Sequence, residues 1–579
     1  MTPPSMRSGR VRGRALALAA AMAVALSSCL ALPTDGGIQT GLDALPVDSG
    51  LELVAPGPAE DAIPEQIVQG FLLASSFGLG DDFGRAREFL TSAGASQWVA
   101  LDGVTIYSDA DPLEVTLEDE APDAVERSVT VRATVAATVA PDGTYTEAAP
   151  GTQQEFHYQL VQVAGEQWRI SQLDAGVLMS EVTFGTQYRQ VPIYFLSGDE
   201  EPRLVPDLRW LPRSQTVDGS VRALLGGPAD WLTSPAVVTA FPSGTELGIE
   251  RVQIDDRVAT VSLTSEFLTA SAADRAYAQR QLAETLRPLG QVNRVQISVD
   301  GNVLEVSDSL APIASTPVPV RGPVVIASDG LGLLSGSSIR ELPGGYVAPD
   351  GLGSIALPYE TGAIVGLVQS RSLVALSEGA EPTTLVALEQ ELLAPSYDAH
   401  GWVWTGVAGP ASDQERLIVT HPLTGETGPV TSPDLAGADV VALRVSREGA
   451  RLAYAIRTDD AVVVYVAAIQ RDAAGRPIAV SQGQAIGAPL TSLREMVWVD
   501  DVELAVLGTS EGGATDTVLL LGVGGQTAPL PSVEGAISLA AGDGRRELYL
   551  VTDSGDLYGR SGNGWRRIDG PASSPAFAG

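Results

Sequence analysis

The chain has 579 residues, 44% of them hydrophobic, so it is long enough for about three or four domains and apolar enough to bury a core in each. Its formal net charge is −35, with 71 acidic residues against 36 basic ones, all of them arginine. This balance argues against nucleic acid as a partner and against adsorption to an anionic membrane surface, because both need clustered basic side chains.

The first 28 residues have the layout of a signal peptide. Four arginines precede an apolar run over residues 15–26, which is too short to span a bilayer. The sequence Leu26-Ser27-Ser28 then leads into Cys29, the only cysteine of the chain, in a pattern that resembles the bacterial lipobox. We therefore predict removal of residues 1–28 and lipid attachment to Cys29, which anchors the protein without a transmembrane helix.

The alternatives to lipidation are an incidental cysteine and an ordinary secretory signal. An exported chain normally pairs its cysteines or lacks them, so one cysteine at this position is best explained as an attachment site. Residues 29–59 are rich in Gly, Pro and Asp and are predicted to form a flexible tether. Loss of the four arginines of the signal peptide, which carries no acidic residue, changes the net charge from −35 to −39.

Residues 60–185 are predicted to form an α+β N-terminal domain. Pro64 opens a helix with apolar residues at helical spacing, and DDFGRAREFLTSAGASQW predicts a second helix. Apolar and polar residues alternate over residues 128–139, which predicts a half-buried strand, and QEFHYQLVQVAGEQWRISQL predicts a hairpin. Helices followed by a curved antiparallel sheet resemble the NTF2-like fold.

Residues 190–305 are predicted to form a second α+β domain. It contains the strand VPIYFL, the helix TVDGSVRALLGGP ended by its glycines and proline, and the hairpin LGIERVQIDDRVATVSL with Asp255 and Asp256 at the turn. Together with LVPDLRWL, FPSGTEL and VQISVDG, these segments resemble in their order the GerM-type domain of spore-germination and sporulation proteins. A later helix carries an apolar stripe at Ala278, Leu282, Leu286 and Leu289.

Residues 315–579 are predicted to form an all-β propeller of five or six blades. Similar strand-like runs recur roughly every 44 to 52 residues, a period typical of propeller blades: GSIALPY, GWVWTGV, ARLAYAI, VELAVLG and RELYLVT. The opening segment GPVVIASDGLGLLSGSSIREL resembles an incomplete blade, which we expect to pair with the last one and close the ring. A β-sandwich is the alternative, but the regular period favours a propeller.

The sequence predicts no catalytic residue, no metal site and no cofactor. His157, His400 and His421 are scattered and have no His or Cys at metal-ligand spacing, so we expect solvated polar residues. The sequence GTSEG at residues 508–512 fits the G-x-S-x-G pattern of hydrolases. Strands are predicted on both sides of it, so Ser510 is expected in a hairpin loop rather than at a strand-to-helix elbow.

Two further motifs are weak. GLGLLSG at residues 330–336 departs from the dinucleotide-binding spacing and precedes no helix. SDADP at residues 108–112 lacks the later ligands of a calcium loop, so its carboxylates are expected to belong to a solvated acidic surface.

The order of lipobox, N-terminal domain, GerM-type domain and propeller resembles the LpqB family of actinobacterial membrane lipoproteins. The resemblance covers almost the whole mature chain and rests on domain order more than on any single motif. It implies a non-enzymatic lipoprotein on the extracytoplasmic face of the cell membrane that acts on the sensor histidine kinase MtrB of the MtrA–MtrB two-component system. Only Cys29 is carried over as a functional residue.

The alternative function is a cell-wall glycan-binding protein or an envelope enzyme, with its site on the GerM-type domain or the propeller. An enzyme would bring an acid, a base and a nucleophile into one cleft, and no sequence motif indicates this. The expected partners are therefore the kinase and the membrane, with the cell wall as a further candidate and nucleic acid excluded.

Overall fold

The structure is a computed structural model that describes residues 55–118, 124–163, 166–232, 235–319, 321–328, 330–410, 416–459 and 461–579. Cys29, the predicted signal peptide and most of the predicted tether lie outside the described residues. The described residues belong to one compact unit. In the part of the chain that the structure describes, no helix combines the length and the apolar character needed to cross a membrane.

The N-terminal domain begins with three helices, α1 (Pro64–Ser76), α2 (Gly84–Arg87) and α3 (Ser92–Gln97). Pro64 occupies the first turn of α1 as predicted. The single second helix predicted after it is wrong, because the chain is interrupted between α2 and α3. There the backbone N–H of Thr91 donates to the carbonyl of Ile170, and the Thr91 hydroxyl accepts from Gly94 N and caps α3.

A seven-stranded sheet packs against these helices, with strand order β6-β5-β3-β1-β7 and with β2 and β4 also paired to β3. The pairing is antiparallel except for β1 with β7, which is parallel, so the sheet is mixed rather than wholly antiparallel as predicted. The strands and a following helix are β1 (Val104–Tyr107), β2 (Glu114–Leu117), β3 (Glu126–Val139), β4 (Tyr145–Glu147), β5 (Gln153–Val163), β6 (Gln167–Gln172), β7 (Val177–Ser180) and α4 (Glu181–Gln187).

The middle domain has two sheets, with strand orders β10-β8-β9 and β11-β12-β13-β14. Helix α5 ends where Gly227 takes a φ of 89°. Helix α6 buries Ala278, Leu282 and Leu286 of the predicted apolar stripe, and Leu289 is buried in the turn that follows the helix. The β11–β12 hairpin turns at Asp256 and Arg257, one residue later than predicted, and both have positive φ. The elements are β8 (Tyr188–Ser197), β9 (Leu204–Pro212), α5 (Thr216–Gly226), β10 (Val237–Val238), β11 (Gln253–Asp255), β12 (Val258–Leu263), α6 (Ala272–Leu286), β13 (Arg294–Val299) and β14 (Asn302–Val303).

The propeller contains all the remaining strands of the described residues. They are β15 (Val324–Ala327), β16 (Gly330–Ser335), β17 (Ser338–Glu341), β18 (Leu352–Ala356), β19 (Ile364–Val368), β20 (Ser372–Leu376), β21 (Thr383–Ala387), β22 (Ser396–Tyr397), β23 (Val403–Gly406), β24 (Gly409–Pro410), β25 (Leu417–Thr420), β26 (Thr427–Val430), β27 (Asp439–Val445), β28 (Arg451–Arg457), β29 (Val462–Arg471), β30 (Pro477–Val480), β31 (Gln484–Trp498), β32 (Glu503–Ser510), β33 (Thr517–Gly522), β34 (Thr527–Pro529), β35 (Ala536–Ala541), β36 (Leu548–Thr552), β37 (Asp556–Ser561), β38 (Gly564–Pro571) and β39 (Ser573–Ala576).

Within the described residues, all of these strands except β24 group into six four-stranded antiparallel units, and β24 pairs antiparallel with β27. Blade 1 is β39-β15-β16-β17, blade 2 is β18 to β21, and blade 3 is β22-β23-β25-β26. Blade 4 is β27 to β30, blade 5 is β31 to β34, and blade 6 is β35 to β38. Blades 4 and 5 share one sheet, because β29 also pairs with β31.

The last strand joins the first blade, as the sequence predicts for ring closure. Strand β39 pairs antiparallel with β15, with Val324 opposite Ala576 and Ile326 opposite Ser573. The chain then continues across to blade 2, where Ala578 bridges to Leu357. Because β39 follows blade 6 in the chain and pairs within blade 1, the C-terminal segment joins the last blade to the first.

Candidate functional site

The three domains meet along β9, which contacts both the N-terminal domain and the propeller. The backbone N–H of Trp210 donates to Gly143 O at 2.8 Å, and its indole Nε1 donates to Gly524 O, between β33 and β34, at 3.1 Å. The indole also packs against Tyr145 and Phe184, with ring centroids 5.6 and 4.7 Å away. Trp210, a residue of the middle domain, therefore contacts both of the other domains.

Beside it, Arg209 forms a buried ion pair within the middle domain and a second one to the N-terminal domain. Its side chain is 3% exposed, and Nη2 donates to Asp207 Oδ2 at 2.6 Å. Nη1 donates to the backbone carbonyl of Asp142 at 3.0 Å and to the carboxylate of the same residue. Burial opposes the charge of Arg209, but the two carboxylates outweigh it, so the pKa of the guanidinium lies above its ordinary value.

A second buried ion pair lies within the propeller, and its arginine also donates a hydrogen bond to β9. Arg451 and Glu448 are both fully buried, and Arg451 Nε donates to Glu448 Oε1 at 2.6 Å. Nη1 donates across the domain boundary to Pro206 O at 3.3 Å, and Nη2 donates to Asp501 O at 2.6 Å. The guanidinium also stacks over the Trp498 ring, 5.0 Å from its centroid. One side chain thus ties blades 4 and 5 to the middle domain.

A third polar contact between these two domains contains His400, one of the three histidines. Its Nε2 lies 3.2 Å from Arg203 Nη1 and 3.5 Å from Asp199 Oδ2, both in the middle domain. The His400 side chain is 20% exposed, so the prediction of a solvated histidine is wrong here. Nearby, Arg471 Nη2 donates to Asp398 Oδ2 at 2.8 Å.

The buried Asp398 carboxylate is held ionised by its neighbours. Burial opposes its charge, but the charges of Arg471 and His400, together with the hydrogen bond from Trp404 Nε1, keep its pKa below the ordinary value. Asp398 therefore contributes a permanent negative charge to this side of the propeller.

The other two histidines differ from each other. His157 is exposed on β5, as predicted, with Nδ1 3.1 Å from Thr130 Oγ1. His421 is half-buried, with its ring edge-on to Trp402, and it lines a cavity of about 220 Å³ together with His400. Even so, no three His, Cys, Asp or Glu among the described residues are placed to hold a metal ion.

The sequence motifs that resembled catalytic or ligand-binding loops have structural roles. Ser510 ends β32, which pairs antiparallel with β33, so GTSEG leads into a hairpin as predicted. Residues 330–335 are strand β16. Asp109 of SDADP accepts a hydrogen bond from Val182 N at 2.8 Å and so binds the first turn of α4.

A large cleft lies where the N-terminal and middle domains meet. It has a volume of about 780 Å³, within the range typical of ligand sites. Its wall is largely apolar, with Tyr188, Leu211 and Trp231 among its residues, and Gln484 of the propeller completes it. Burial raises the pKa of Tyr188 to about 12, so its phenol is neutral at physiological pH.

The centre of the propeller forms a narrow channel between the first strands of the blades and β39. Arg444 of β27 and Glu495 of β31 form an ion pair in its wall, and the C-terminal residues Phe577 to Gly579 also line it. Burial raises the pKa of Glu495 despite the neighbouring charge of Arg444. The wall therefore carries a partly buried ion pair.

Asp501 is the most perturbed carboxylate near the junction. Burial, and next the charge of Glu448, raise its pKa from 3.8 to about 6, although Arg451 and Arg447 act in the opposite direction. No sequence signal identified this residue or the arginines of the junction, since the contacts that Arg209 and Arg451 make across domain boundaries join residues 67 and 245 positions apart. His400 and His421 are likewise 21 positions apart and meet only because blade 3 folds.

Three families match successive parts of the chain. "Lipoprotein LpqB, N-terminal domain" matches residues 57–185, "Sporulation and spore germination" matches residues 192–305, and "Lipoprotein LpqB beta-propeller domain" matches residues 329–578. Among solved structures, the first GerMN domain of the sporulation protein GerM from Bacillus subtilis is 19% identical; the match covers 20% of this chain and 86% of that chain, with a TM-score of 0.17.

Relatives align with this chain over most of its length. Lipoprotein LpqB of Streptomyces coelicolor is 30% identical over 99% of both chains. Lipoprotein LpqB of Thermobifida fusca is 27% identical over 86% of this chain and 88% of the relative. With three successive domain matches and a relative aligned from end to end, the chain belongs to the lipoprotein LpqB family.

Proposed function

We propose that this protein is lipid-anchored through Cys29 on the extracytoplasmic face of the membrane. There it modulates a sensor histidine kinase of the MtrA–MtrB type by protein contact. The family supports a lipoprotein, and the sequence before Cys29 supports the site of attachment. The kinase partner rests on the family resemblance.

The observation that carries the proposal is the buried junction along β9. Arg209 and Arg451 are nearly or fully buried, and their guanidinium groups contact residues of neighbouring domains. Separating the domains would break the ion pair of Arg209 with Asp142 and the hydrogen bond of Arg451 to Pro206 O, and it would leave both guanidinium groups with fewer partners, so the domains resist separation. A contact at one domain therefore positions the others, which suits a protein that acts by binding a membrane partner.

The charge of the protein indicates what kind of surface it binds. A net charge of −35, or −39 after removal of the predicted signal peptide, favours a basic patch on the partner. Tethering to the same membrane raises the effective concentration of the two proteins, so a weak interface is sufficient for occupancy. Salt should weaken the contact, because exposed charges are screened over about 8 Å at physiological ionic strength.

The direct test is binding of the kinase sensor domain to the full mature protein in detergent micelles, together with kinase autophosphorylation in membranes. We expect saturable binding that weakens with salt, and kinase output that changes when the tethered protein is present. The matched control is Cys29→Ser, which keeps every folded residue and lacks the lipid. It should bind the purified sensor domain equally well and should affect kinase output much less in membranes.

Two results would contradict the proposal. If the sensor domain does not bind and kinase output is the same with and without the protein, the signalling role is excluded. If Cys29→Ser takes up as much acyl-chain label as the wild type, lipidation at Cys29 is excluded. The first result would favour the alternative function, a glycan-binding protein or an envelope enzyme.

A further inference from the structure

The cleft where the N-terminal and middle domains meet has the size of a ligand site. Its volume of about 780 Å³ lies in the upper part of the roughly 300–1,000 Å³ range of ligand pockets. Its walls come from all three domains, because Gln484 of the propeller completes the part formed by the other two. The buried contacts of Arg209 to Asp142 and of Trp210 to Gly524 fix these walls relative to one another, so the cleft is preformed.

One face of α5 keeps the cleft open. Gly219, Ala223 and Gly226 line the cleft at the spacing i, i+4 and i+7, so they lie on the same face of the helix. None of the three has a side chain larger than a methyl group, and a Cβ at Gly226 would meet open space. The cleft therefore has room beside this helix face that larger residues would fill.

The charged groups that line the cleft balance one another. They are two carboxylates and two guanidinium groups, those of Asp142, Asp230, Arg209 and Arg222, although the whole chain carries a net charge of −35. Asp142 and Arg209 are also paired with each other. An ion of either sign would meet no excess of opposite charge in this lining, which favours an uncharged ligand.

Arg209 has one donor without an acceptor. Its side chain is 3% exposed, and Nη1 and Nη2 donate to Asp142 and Asp207, whereas the buried Nε has no hydrogen-bond partner among the described residues. A buried donor normally has a partner, and Arg209 lines the cleft. Because two carboxylates already balance the charge of Arg209, the missing acceptor is best supplied by a neutral oxygen of a ligand.

The rest of the wall combines apolar surface with amide groups. Tyr188, Leu211 and Trp231 provide aromatic and aliphatic surface, and Gln215 and Gln484 each provide both donors and acceptors. A sugar matches both kinds of surface, because the C–H faces of its ring pack against apolar side chains and its hydroxyl groups both donate and accept hydrogen bonds.

Two other uncharged ligand classes match this wall less well. An extended peptide is commonly held by pairing with an open strand edge. Strand β9 is the edge of its sheet, but the N–H of Trp210 already donates to Gly143 O there. An acyl chain has no oxygen along its length to accept from Arg209 or to bond the glutamine amides.

We propose that this cleft binds an uncharged oligosaccharide. Its rings lie against the apolar and aromatic side chains, and its hydroxyl groups bond the amide groups and the Nε–H of Arg209. A short free sugar and a segment of a polysaccharide share this chemistry. The inference does not rest on the proposed signalling role, because it concerns a ligand of the cleft rather than a protein partner.

The test measures binding to the full mature protein by saturation-transfer nuclear magnetic resonance, in micelles of a detergent without a sugar headgroup. The probes are maltotriose, cellotriose, mannotriose and triacetylchitotriose, with Nα-acetyl-trialanine methylamide as the peptide of similar size. We expect at least one trisaccharide to bind and the peptide not to displace it. Tighter binding of the matching hexasaccharide identifies a polysaccharide segment as the ligand, and equal binding identifies a short free sugar.

Variants then assign the site. Gly226→Leu should weaken binding of the trisaccharide about tenfold or more, because the added side chain occupies the cleft. Gly185→Leu is the control, since Gly185 also lies in a helix and faces open space but does not line the cleft. Asp230→Ala should weaken binding about tenfold through loss of a charged acceptor, and Asp255→Ala, at an exposed position outside the cleft, should have no effect.

Three results would overturn the proposal. The first is that none of the four trisaccharides binds. The second is that the peptide binds equally well or displaces the sugar. The third is that Gly226→Leu binds the sugar as the wild type does, or that Gly185→Leu weakens binding as much as Gly226→Leu.

Discussion

Buried arginines dominate the chemistry of this protein at the scale of single residues. Arg416 and Arg451 are among its largest fully buried side chains, and Arg209, Arg447 and Arg471 are almost as inaccessible. Each is hydrogen-bonded to carbonyls or carboxylates, as a buried guanidinium must be to offset the loss of water. The stability of the folded protein therefore depends on each buried guanidinium keeping its carbonyl and carboxylate partners.

Replacing Arg451 by methionine should therefore lower the free energy of unfolding by about 3–5 kcal/mol, because Glu448 is left buried without its cation. The double variant Arg451→Met, Glu448→Gln should be more stable than the single variant, since it removes that uncompensated charge. The measurement is urea unfolding monitored by tryptophan fluorescence. Arg457→Met is the control: Arg457 is 54% exposed and pairs with Asp439, so its loss should cost only about 0–1 kcal/mol. Equal losses for Arg451→Met and Arg457→Met would refute the argument.

The contribution of the Asp501 carboxyl to the free energy of unfolding should be larger in mild acid than at neutral pH. Its folded pKa of about 6 exceeds the ordinary 3.8, so the protonated carboxyl stabilises the folded state fully below pH 3.8, and this stabilisation is lost as pH rises through 6. The difference corresponds to about 3 kcal/mol at 1.36 kcal/mol per pKa unit.

Asp501→Asn should consequently raise the free energy of unfolding at pH 8 by up to about 3 kcal/mol, and the advantage should vanish near pH 4. Chemical denaturation across this pH range measures it. Asp569→Asn, at an exposed position, should track the wild type throughout. An Asp501→Asn advantage that is the same at pH 4 and pH 8 would show that the carboxylate charge is not its cause.

At the scale of secondary-structure elements, the sequence predicted the repeat of the blades but not which strand of its blade each repeated run forms. The period of the strand-like runs predicted the blades, because each blade buries similar apolar strands. Four of the runs are the second strand of their blade, but GSIALPY belongs to β18, a first strand. First and second strands are both buried within a propeller, so their apolar patterns look alike.

Long-range pairing explains the other differences from the sequence prediction. Strand β1 pairs parallel with β7 across more than 70 positions, and the predicted second helix is broken by a bond from Thr91 to Ile170. Local propensity carries no information about either contact. The same holds for the junction along β9: Arg209 and Arg451 lie within three positions of Asp207 and Glu448, but their contacts to Asp142 and Pro206 join residues 67 and 245 positions apart.

The element that closes the ring should be essential to the propeller. Deleting residues 573–579 removes β39 and the bridge from Ala578 to Leu357, and it exposes the edge of β15. We expect the cooperative thermal transition of the propeller to be lost or strongly broadened. A synthetic peptide of residues 572–579 should restore it in trans, and a scrambled peptide should not. Undiminished cooperativity in the shortened chain would contradict the closure argument.

At the scale of the whole molecule, the domains share their cores. Ala450 and Ala468 of the propeller belong to the apolar core of the middle domain, and Trp231 of the middle domain packs against the core between blades 4 and 5. The Thr527 hydroxyl of blade 5 donates to Glu147 of the N-terminal domain at 2.6 Å. Domains joined by shared cores and buried ion pairs are expected to unfold together.

Calorimetry of the full mature protein should therefore show one cooperative transition. The propeller fragment, residues 315–579, should still melt cooperatively but roughly 5–10 °C lower, because it loses several kcal/mol of interdomain contacts. In that fragment, Arg451→Met should cost less than half of what it costs in the full protein. Without Pro206 as a neighbour, water reaches Glu448 and Arg451, and a hydrated ion pair contributes little. Separate, well-resolved transitions in the full protein, or an equal cost of Arg451→Met in the fragment, would show that the junction along β9 does not couple the domains.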